Sequence, residues 1–126
     1  MKHIIIVFVI ISLTTYAYAN SYQKEIGCVL GEAEDQGIEG MTAVAEAIRN
    51  RGHLRGVYGC RSPRLQKASA ASWEKAAWAW ERSAFTNLVK GADHWHSDRE
   101  PPAWWEKYGK LTVKVGNHKF YKEVYR

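Results

Sequence analysis

Two helical patterns separated by one break, within residues 21–51, limit most strongly what this chain can fold into. The first apolar stripe has the three-to-four-residue spacing of a helix and consists of Tyr22, Ile26, Val29, Leu30 and Ala33. The second has the same spacing and consists of Ile38, Met41, Val44, Ala45 and Ile48. Asp35-Gln36-Gly37 interrupts the pattern between them, and Gly52 follows the second stripe. We therefore expect two packed helices, over about residues 21–34 and 38–50.

One carboxylate, Glu32, lies near the end of the first stripe, just before the break. Gly31 and Ala33 leave room for a ligand beside it. A carboxyl group that is held where a helix ends and backed by apolar side chains can stay protonated near neutral pH, as acid catalysis on a glycosidic bond requires. Glu32 is therefore the candidate catalytic acid, and the alternative is a solvated or helix-capping glutamate.

The N-terminal residues have the pattern of an export signal. Lys2 gives a basic start, residues 4–13 form a short apolar run, and Ala17-Tyr18-Ala19 fits the small-x-small cleavage pattern. We predict a signal peptide over residues 1–19, with an uncleaved anchor as the alternative. Residues 20–126 then suffice for a single domain, and no later segment is apolar enough to cross a membrane.

The charge balance is modestly basic. The formal net charge is +5, and one positive charge is lost with the signal peptide. Such an excess suits a secreted or periplasmic protein that works on a polyanionic surface. Nucleic acid is not an expected partner, because the chain has an export signal and lacks Lys/Arg-rich runs, zinc-finger spacing and aromatic RNA-binding motifs. We expect a monomer.

The chain contains two cysteines, Cys28 and Cys60. In an oxidising compartment their simplest interpretation is one disulfide that ties the first helix to the loop after the second. Two free thiols, or a thiol nucleophile, are the alternatives. A tetrathiolate zinc site is excluded by the number of cysteines.

After the second helix the pattern changes. Residues 52–70 contain several glycines and Pro63, which indicates a loop with turns. A third helix is expected to begin at a Ser72 cap, to continue to about Lys90 and to end at Gly91. The side chains expected to form its buried face are Trp73, Ala77, Trp80 and Ala84.

The C-terminal part predicts a small amount of strand. Pro101-Pro102 exclude a regular helix, whereas residues 104–108 can form one short turn. Polar and apolar residues alternate over 111–115 and 118–120, on either side of Gly116-Asn117, a two-residue hairpin signal. The expected fold class is α+β and mainly α, with a short C-terminal β-hairpin.

Residues 93–98 contain two histidines and two aspartates, which raises the question of a metal ion. Ligands this close along an extended chain diverge, and no HExxH helix accompanies them. We therefore expect no metal and no cofactor. His94 and His118 are expected to hold cleft loops by hydrogen bonds or to contact sugar.

The six tryptophans fall into three groups. Trp73 and Trp80 fit core packing, and Trp78 lies off that buried stripe. The remaining three lie in irregular segments beside polar residues and are Trp95, Trp104 and Trp105. Flat rings in such segments can stack on pyranose faces, so sugar contact and structural anchoring both remain open.

Several short motifs follow one another along most of the chain. The early ones are Gly31-Glu32-Ala33-Glu34-Asp35-Gln36, Glu39-Gly40, Ala43-Val44-Ala45 and Asn50-Arg51. The later ones are Gly91-Ala92-Asp93-His94-Trp95 and Gly116-Asn117-His118-Lys119-Phe120-Tyr121. In this order they resemble the cell-wall hydrolase family of the spore-cortex-lytic, SleB-like type. The chain departs from the family at Glu34, Asp35 and Gln36, where the family has Arg, Gly and a second Glu.

The resemblance implies a lysozyme-like domain that cleaves peptidoglycan strands between N-acetylmuramic acid and N-acetylglucosamine, with Glu32 as the single catalytic acid. In a lytic transglycosylase this residue protonates the leaving oxygen and then takes the proton of the muramic acid 6-hydroxyl, which closes an anhydro ring. A muramidase needs a second carboxylate, and the candidates for it are Glu39, Asp35, Asp93 and Asp98. We favour the transglycosylase.

The candidate substrate-binding residues are Glu39, Asn50, His94, Trp95, Trp105, His118 and Tyr121. Two of them have structural alternatives. Glu39 can bind the open N-terminal end of the second helix, and Asn50 can be a buried polar tie.

Three other functions remain open. One is a non-catalytic peptidoglycan-binding module of the same fold. The second is a metal-dependent amidase or peptidase that uses residues 93–98. The third, a small basic disulfide protein that disrupts membranes, is disfavoured because the apolar stripes fit a core and no cationic amphipathic helix is present.

Overall fold

The structure, a computed structural model, describes residues 21–125. The expected signal peptide lies outside these residues and stays a prediction. Within them, no helix has the length and hydrophobicity needed to cross a membrane.

Two helices joined by a tight corner form the first half of the fold. Helix α1 spans Gln23–Ala33 and helix α2 spans Gly37–Arg51, with one 3-10 turn at Glu34–Gln36 between them. Gly37 has a φ of 73°, which a glycine adopts without steric cost, and this lets the chain turn sharply into α2. Gly52 caps α2 in the left-handed conformation. Both helices expected from the sequence are confirmed.

Helix α2 lies at the centre of the molecule. Its residues from Gly40 to Ile48 are all buried, and small side chains at every second position let neighbouring elements approach closely. The largest fully buried side chains in and around this helix include Phe120, Ile26, Leu30, Met41 and Val44. Burying one such side chain stabilises the fold by roughly 1.5–3 kcal/mol, so this contiguous cluster fixes the relative positions of the helices.

The segment after α2 has more regular structure than the expected loop. It contains a 3-10 turn at Tyr58–Arg61 and a one-turn helix α3 at Arg64–Lys67. The expected disulfide is present between Cys28 and Cys60, so this turn is bonded covalently to α1. The two backbones also touch, because a Cβ on Gly31 would overlap the turn's carbonyl group.

Helix α4 is shorter than the sequence predicts. It spans Ala70–Ser83, and its N-cap is Ser69, whose hydroxyl oxygen accepts a 3.1 Å hydrogen bond from the Ser72 N–H. The predicted cap at Ser72 is therefore wrong by three residues. The helix ends at Ser83, seven residues before the predicted end near Lys90.

A buried carboxylate explains why α4 ends early. Glu46 of α2 is 3% exposed and accepts hydrogen bonds from the Thr86 hydroxyl at 2.6 Å, the Leu88 N–H at 3.0 Å and the Val89 N–H at 3.1 Å. These bonds give the backbone after Ser83 partners that a helix would otherwise supply. The bonds also offset the free-energy cost of burying the Glu46 carboxylate. The chain therefore departs from the helical conformation after Ser83.

The buried face of α4 differs from the expected one accordingly. Its buried residues are Ala76, Ala79, Trp80 and Ser83. Trp73 and Ala77 are half-buried and pack against the core, whereas Ala84 is exposed beyond the end of the helix. Trp78 is 59% exposed, as its position off the stripe predicts.

The C-terminal part of the chain forms a three-stranded antiparallel sheet. Its strands are β1 at His94–Ser97, β2 at Lys110–Val115 and β3 at His118–Lys122, in the order β1-β3-β2. The β2–β3 hairpin turns at Gly116-Asn117, as expected. The α+β, mainly helical fold class is confirmed.

Strand β1 differs from the sequence prediction, which has an irregular segment at these residues. In β1, Trp95 lies opposite Phe120 of β3, a residue that is fully buried in the core. The sequence between β1 and β2 forms the short 3-10 turn Trp104–Lys107, which confirms the turn expected there.

Candidate active site

An open cleft of about 860 Å³ crosses the face where α1 ends. One wall is the segment from His53 to Arg64, and a second wall is formed by β1 with Trp104 and Trp105. Glu32 and Gly31 lie between these walls, and His118 at the start of β3 closes the same region. The cleft therefore unites parts of the chain that are far apart in sequence.

Glu32 is held in this cleft by one hydrogen bond from each wall. Its Oε1 accepts the Gly59 backbone N–H at 2.8 Å, and its Oε2 accepts the Trp95 indole N–H at 3.2 Å. The side chain is half-buried, so it faces the cleft and not open solvent. Each carboxyl oxygen keeps a second lone pair, which leaves the group able to carry and transfer a proton.

Arg51 fixes the orientation of the Trp95 indole. Its guanidinium lies 4.7 Å from the centre of the indole ring and donates from Nε to the Asp93 carbonyl at 2.9 Å. The cation-π contact and the backbone bond together restrict the ring to one position. The indole N–H consequently points at Glu32.

His118 is the buried histidine of the site. It is 6% exposed, and burial lowers the pKa of its imidazole, although the carboxylates of Glu32 and Asp35 act in the opposite direction. Within the described residues its Nδ1 has no hydrogen-bond partner. Burial therefore favours the neutral form of the ring.

Asp35 lies at the edge of the cleft and is bound by two arginines. Its carboxylate is 3.5 Å from the Arg64 guanidinium and 3.1 Å from that of Arg99. The Gln36 side-chain amide, donating at 3.1 Å, and these two cations lower the pKa of Asp35. Gln36 also accepts the Asn117 N–H at 2.8 Å, which fastens the hairpin turn to the corner between α1 and α2.

The structure brings together five of the predicted site residues. The residues that line the cleft are Glu32, His94, Trp95, Trp105 and His118. His94 Nδ1 is 2.9 Å from an Asp93 carboxylate oxygen, and its ring packs edge-on against Trp105, with the ring centres 5.2 Å apart. Trp105 in turn packs edge-on against Tyr121 at 5.4 Å.

The other three predicted site residues lie outside the cleft lining. Glu39 is exposed in the first turn of α2. Asn50 donates to the Ala92 carbonyl at 2.8 Å and thereby ties α2 to the chain before β1. Tyr121 is buried behind Trp105, and this burial raises the pKa of its phenol.

The aspartates and histidines of residues 93–98 do not converge. Asp93 bonds to the neighbouring imidazole, whereas Asp98 forms an ion pair with Lys114 of β2. Among residues 21–125, no three His, Cys, Asp or Glu side chains are grouped as metal ligands are.

Sequence reasoning missed two features of the site. One is the Gly59 N–H, which could have been found from its place beside Cys60, because Cys28 precedes Glu32 by one helical turn. The other is the set of arginines that line the cleft, which are Arg51, Arg55, Arg61, Arg64 and Arg99. They are scattered along the sequence, so no local pattern reveals them.

Comparisons with known proteins agree with the fold. No protein-family model and no curated protein sequence matches the chain. Among solved structures, the catalytic domain of the Bacillus cereus SleB protein matches with a TM-score of 0.57 and 24% sequence identity, over 79% of this chain and 91% of that one. The resemblance stated from the sequence motifs is thus confirmed at the level of the fold. The chain has the fold of that catalytic domain.

Proposed function

We propose that this protein is an exported lytic transglycosylase that cleaves peptidoglycan between N-acetylmuramic acid and N-acetylglucosamine. Glu32 protonates the glycosidic oxygen as the bond to the anomeric carbon breaks. The same carboxylate then takes the proton of the muramic acid 6-hydroxyl, whose oxygen attacks that carbon and closes a 1,6-anhydro ring. The proton lost in the first step is regained in the second, so one carboxyl group completes the cycle.

The position of Glu32 carries this proposal. Its carboxyl group is half-buried, lies in a cleft of about 860 Å³ and is fixed by N–H donors from both walls. A general acid must be held within hydrogen-bond reach of the leaving oxygen, and two directed bonds supply that constraint. The fold shared with the SleB catalytic domain adds support.

The commitments of the other carboxylates favour the transglycosylase over a muramidase. Asp35 is paired with Arg64 and Arg99. Asp98 is paired with Lys114, and Asp93 with His94. Glu39 lies outside the cleft lining. Glu100 lines the cleft but is exposed. A mechanism that needs no second carboxylate fits this arrangement better than one that requires a base or nucleophile across the sugar.

The cleft walls suit a polysaccharide. Trp104 is 69% exposed and Tyr58 is 78% exposed, and both residues line the cleft. Exposed aromatic rings that line a cleft offer flat faces on which pyranose rings can stack.

The decisive experiment is digestion of purified sacculi with residues 20–126, followed by mass spectrometry of the released muropeptides. We expect products that end in 1,6-anhydro-muramic acid. Glu32→Gln should lose about 10²–10⁴-fold of the rate, the usual contribution of a general acid, while still binding sacculi. The matched control is Glu74→Gln, an exposed position on α4, which should keep full activity.

The other outcomes each point to a different function. Reducing ends in the products would show a muramidase. Binding of sacculi without cleavage, by both the unmodified chain and Glu32→Gln, would show a peptidoglycan-binding module. Activity that is lost with a chelator and restored by zinc would show a metal-dependent amidase or peptidase.

A further inference from the structure

A group of arginines on one wall of the cleft has no role in the proposed chemistry. Five arginines line the cleft against three carboxylates, those of Glu32, Asp35 and Glu100. Uncharged N-acetylated sugars need hydrogen bonds and stacking surfaces, not an excess of cations. The excess of arginines over carboxylates therefore suits an anionic part of the ligand.

Two of these arginines are available to a ligand. Among the described residues, the guanidinium groups of Arg55 and Arg61 have no ion-pair or hydrogen-bond partner, whereas Arg64 and Arg99 share Asp35 and Arg51 binds backbone carbonyls and Trp95. Both are exposed and lie on the same wall. We call this pair the basic wall.

Tyr58 lies between the two members of the basic wall in sequence. Its ring is 78% exposed, and the 3-10 turn that carries it ends at Arg61. The Cys28–Cys60 disulfide holds this turn against α1, so the backbone that carries Tyr58 and Arg61 is anchored beside the helix of Glu32. A sugar stacked on Tyr58 would therefore lie on the wall that also carries both arginines.

We propose that the basic wall binds the carboxylates of the peptides attached to muramic acid, so that the preferred substrate is peptide-bearing, anionic peptidoglycan. This inference rests on the proposed function and names its substrate class more narrowly. Arginine suits the task because its planar guanidinium binds a carboxylate through two parallel N–H bonds. Neutral polymers of N-acetylglucosamine offer no such partner and should bind more weakly.

The test measures binding separately from cleavage. Glu32→Gln, which is expected to be inactive, is pelleted with sacculi before and after their carboxylates have been converted to neutral amides with a carbodiimide and ammonia. Amidation should weaken binding about two- to thirtyfold, the range for two solvent-exposed charge pairs. The effect should shrink as salt rises from 0.05 to about 0.5 M, because exposed charges are screened.

Substitution of the basic wall identifies the residues responsible. Arg55→Gln combined with Arg61→Gln, in the Glu32→Gln background, should bind untreated sacculi as weakly as amidated ones. The matched control is Lys24→Gln with Lys75→Gln, which removes two exposed positive charges from α1 and α4 and should keep the full effect of amidation.

Two results would overturn this inference. One is equal binding of untreated and amidated sacculi by the chain with its arginines intact. The other is an amidation effect that persists after both arginines are replaced. Failure of the proposed function would be recognised by a different observation. The chain that retains Glu32 would then not cleave glycan strands, whatever the binding results.

Discussion

Gly59 donates its backbone N–H to Oε1 of Glu32 over 2.8 Å, and no larger residue fits in its place. A Cβ at Gly59 would lie 2.5 Å from the Glu32 Cγ and 2.6 Å from its backbone nitrogen. Real Cβ atoms do not approach other atoms so closely. The hydrogen bond to the candidate catalytic carboxyl therefore depends on a position that only glycine can occupy.

Replacing Gly59 by alanine should consequently impair catalysis more than folding. The turn must move away from α1, and a displacement of about 1 Å at a catalytic group can cost about 10²-fold in rate. The measurement is the initial rate of muropeptide release from sacculi, with circular dichroism as the check on folding. Gly27→Ala on α1 is the control, since the nearest neighbour of a Cβ at that position is the Trp73 ring at 3.3 Å. Unchanged activity in Gly59→Ala would contradict the role assigned to this N–H.

The disulfide should control both stability and activity, because it joins the residue after Gly59 to the residue one turn before Glu32. Its cysteines are 32 residues apart, and closing a loop of that size stabilises the folded state by about 3–4 kcal/mol in the chain-entropy model. We expect Cys28→Ser with Cys60→Ser to lower the free energy of unfolding in urea by about that amount. Cleavage should also fall at temperatures where the variant is still folded. Equal activity of the folded variant would show that the bond serves stability alone.

Trp95→Phe tests the second bond to Glu32. Phenylalanine keeps an aromatic ring against Arg51 but lacks the indole N–H that donates to Oε2 at 3.2 Å. Without this bond the carboxyl group is held only by the Gly59 N–H, and since misplacement of a catalytic group by about 1 Å can cost about 10²-fold in rate, kcat/KM should fall about 10- to 100-fold. Trp78→Phe, on the exposed face of α4, should have no effect. A fall in affinity for sacculi with kcat unchanged would assign Trp95 to sugar binding instead.

The helices and the hairpin could be predicted because their signals are local. The stripes of α1 and α2, the stop at Gly52 and the turn at Gly116-Asn117 all follow from residues within a few positions of each other. The end of α4 could not be found in this way. The end of this helix is set by Glu46, which lies 40 residues before Thr86 in the chain. Its carboxylate binds the Thr86 hydroxyl and the backbone N–H groups of Leu88 and Val89.

In the candidate site, too, some residues can be identified from local sequence and others cannot. Glu32 was identified from its own helix and from the motif around it, whereas its two partners come from a turn 27 residues away and a strand 63 residues away. Strand β1 itself was missed because its four residues form a strand only by pairing with β3. Contacts of this kind depend on the complete fold and leave no periodic signal in the sequence.

His118 should make the stability of the protein depend on pH below about 6.5, the usual pKa of imidazole. Burial lowers the pKa of His118 below that value, so as the pH drops past 6.5 the unfolded chain binds more protons than the folded chain. The free energy of unfolding should therefore be highest above pH 6.5 and fall as the pH drops below that value. The Asp35 carboxyl, whose pKa is lowered from 3.8, contributes in a separate window below about pH 4. Urea unfolding from pH 7.5 to 5 measures the slope, and His118→Gln should make it shallower. The same slope in both proteins would mean that another group takes up the proton.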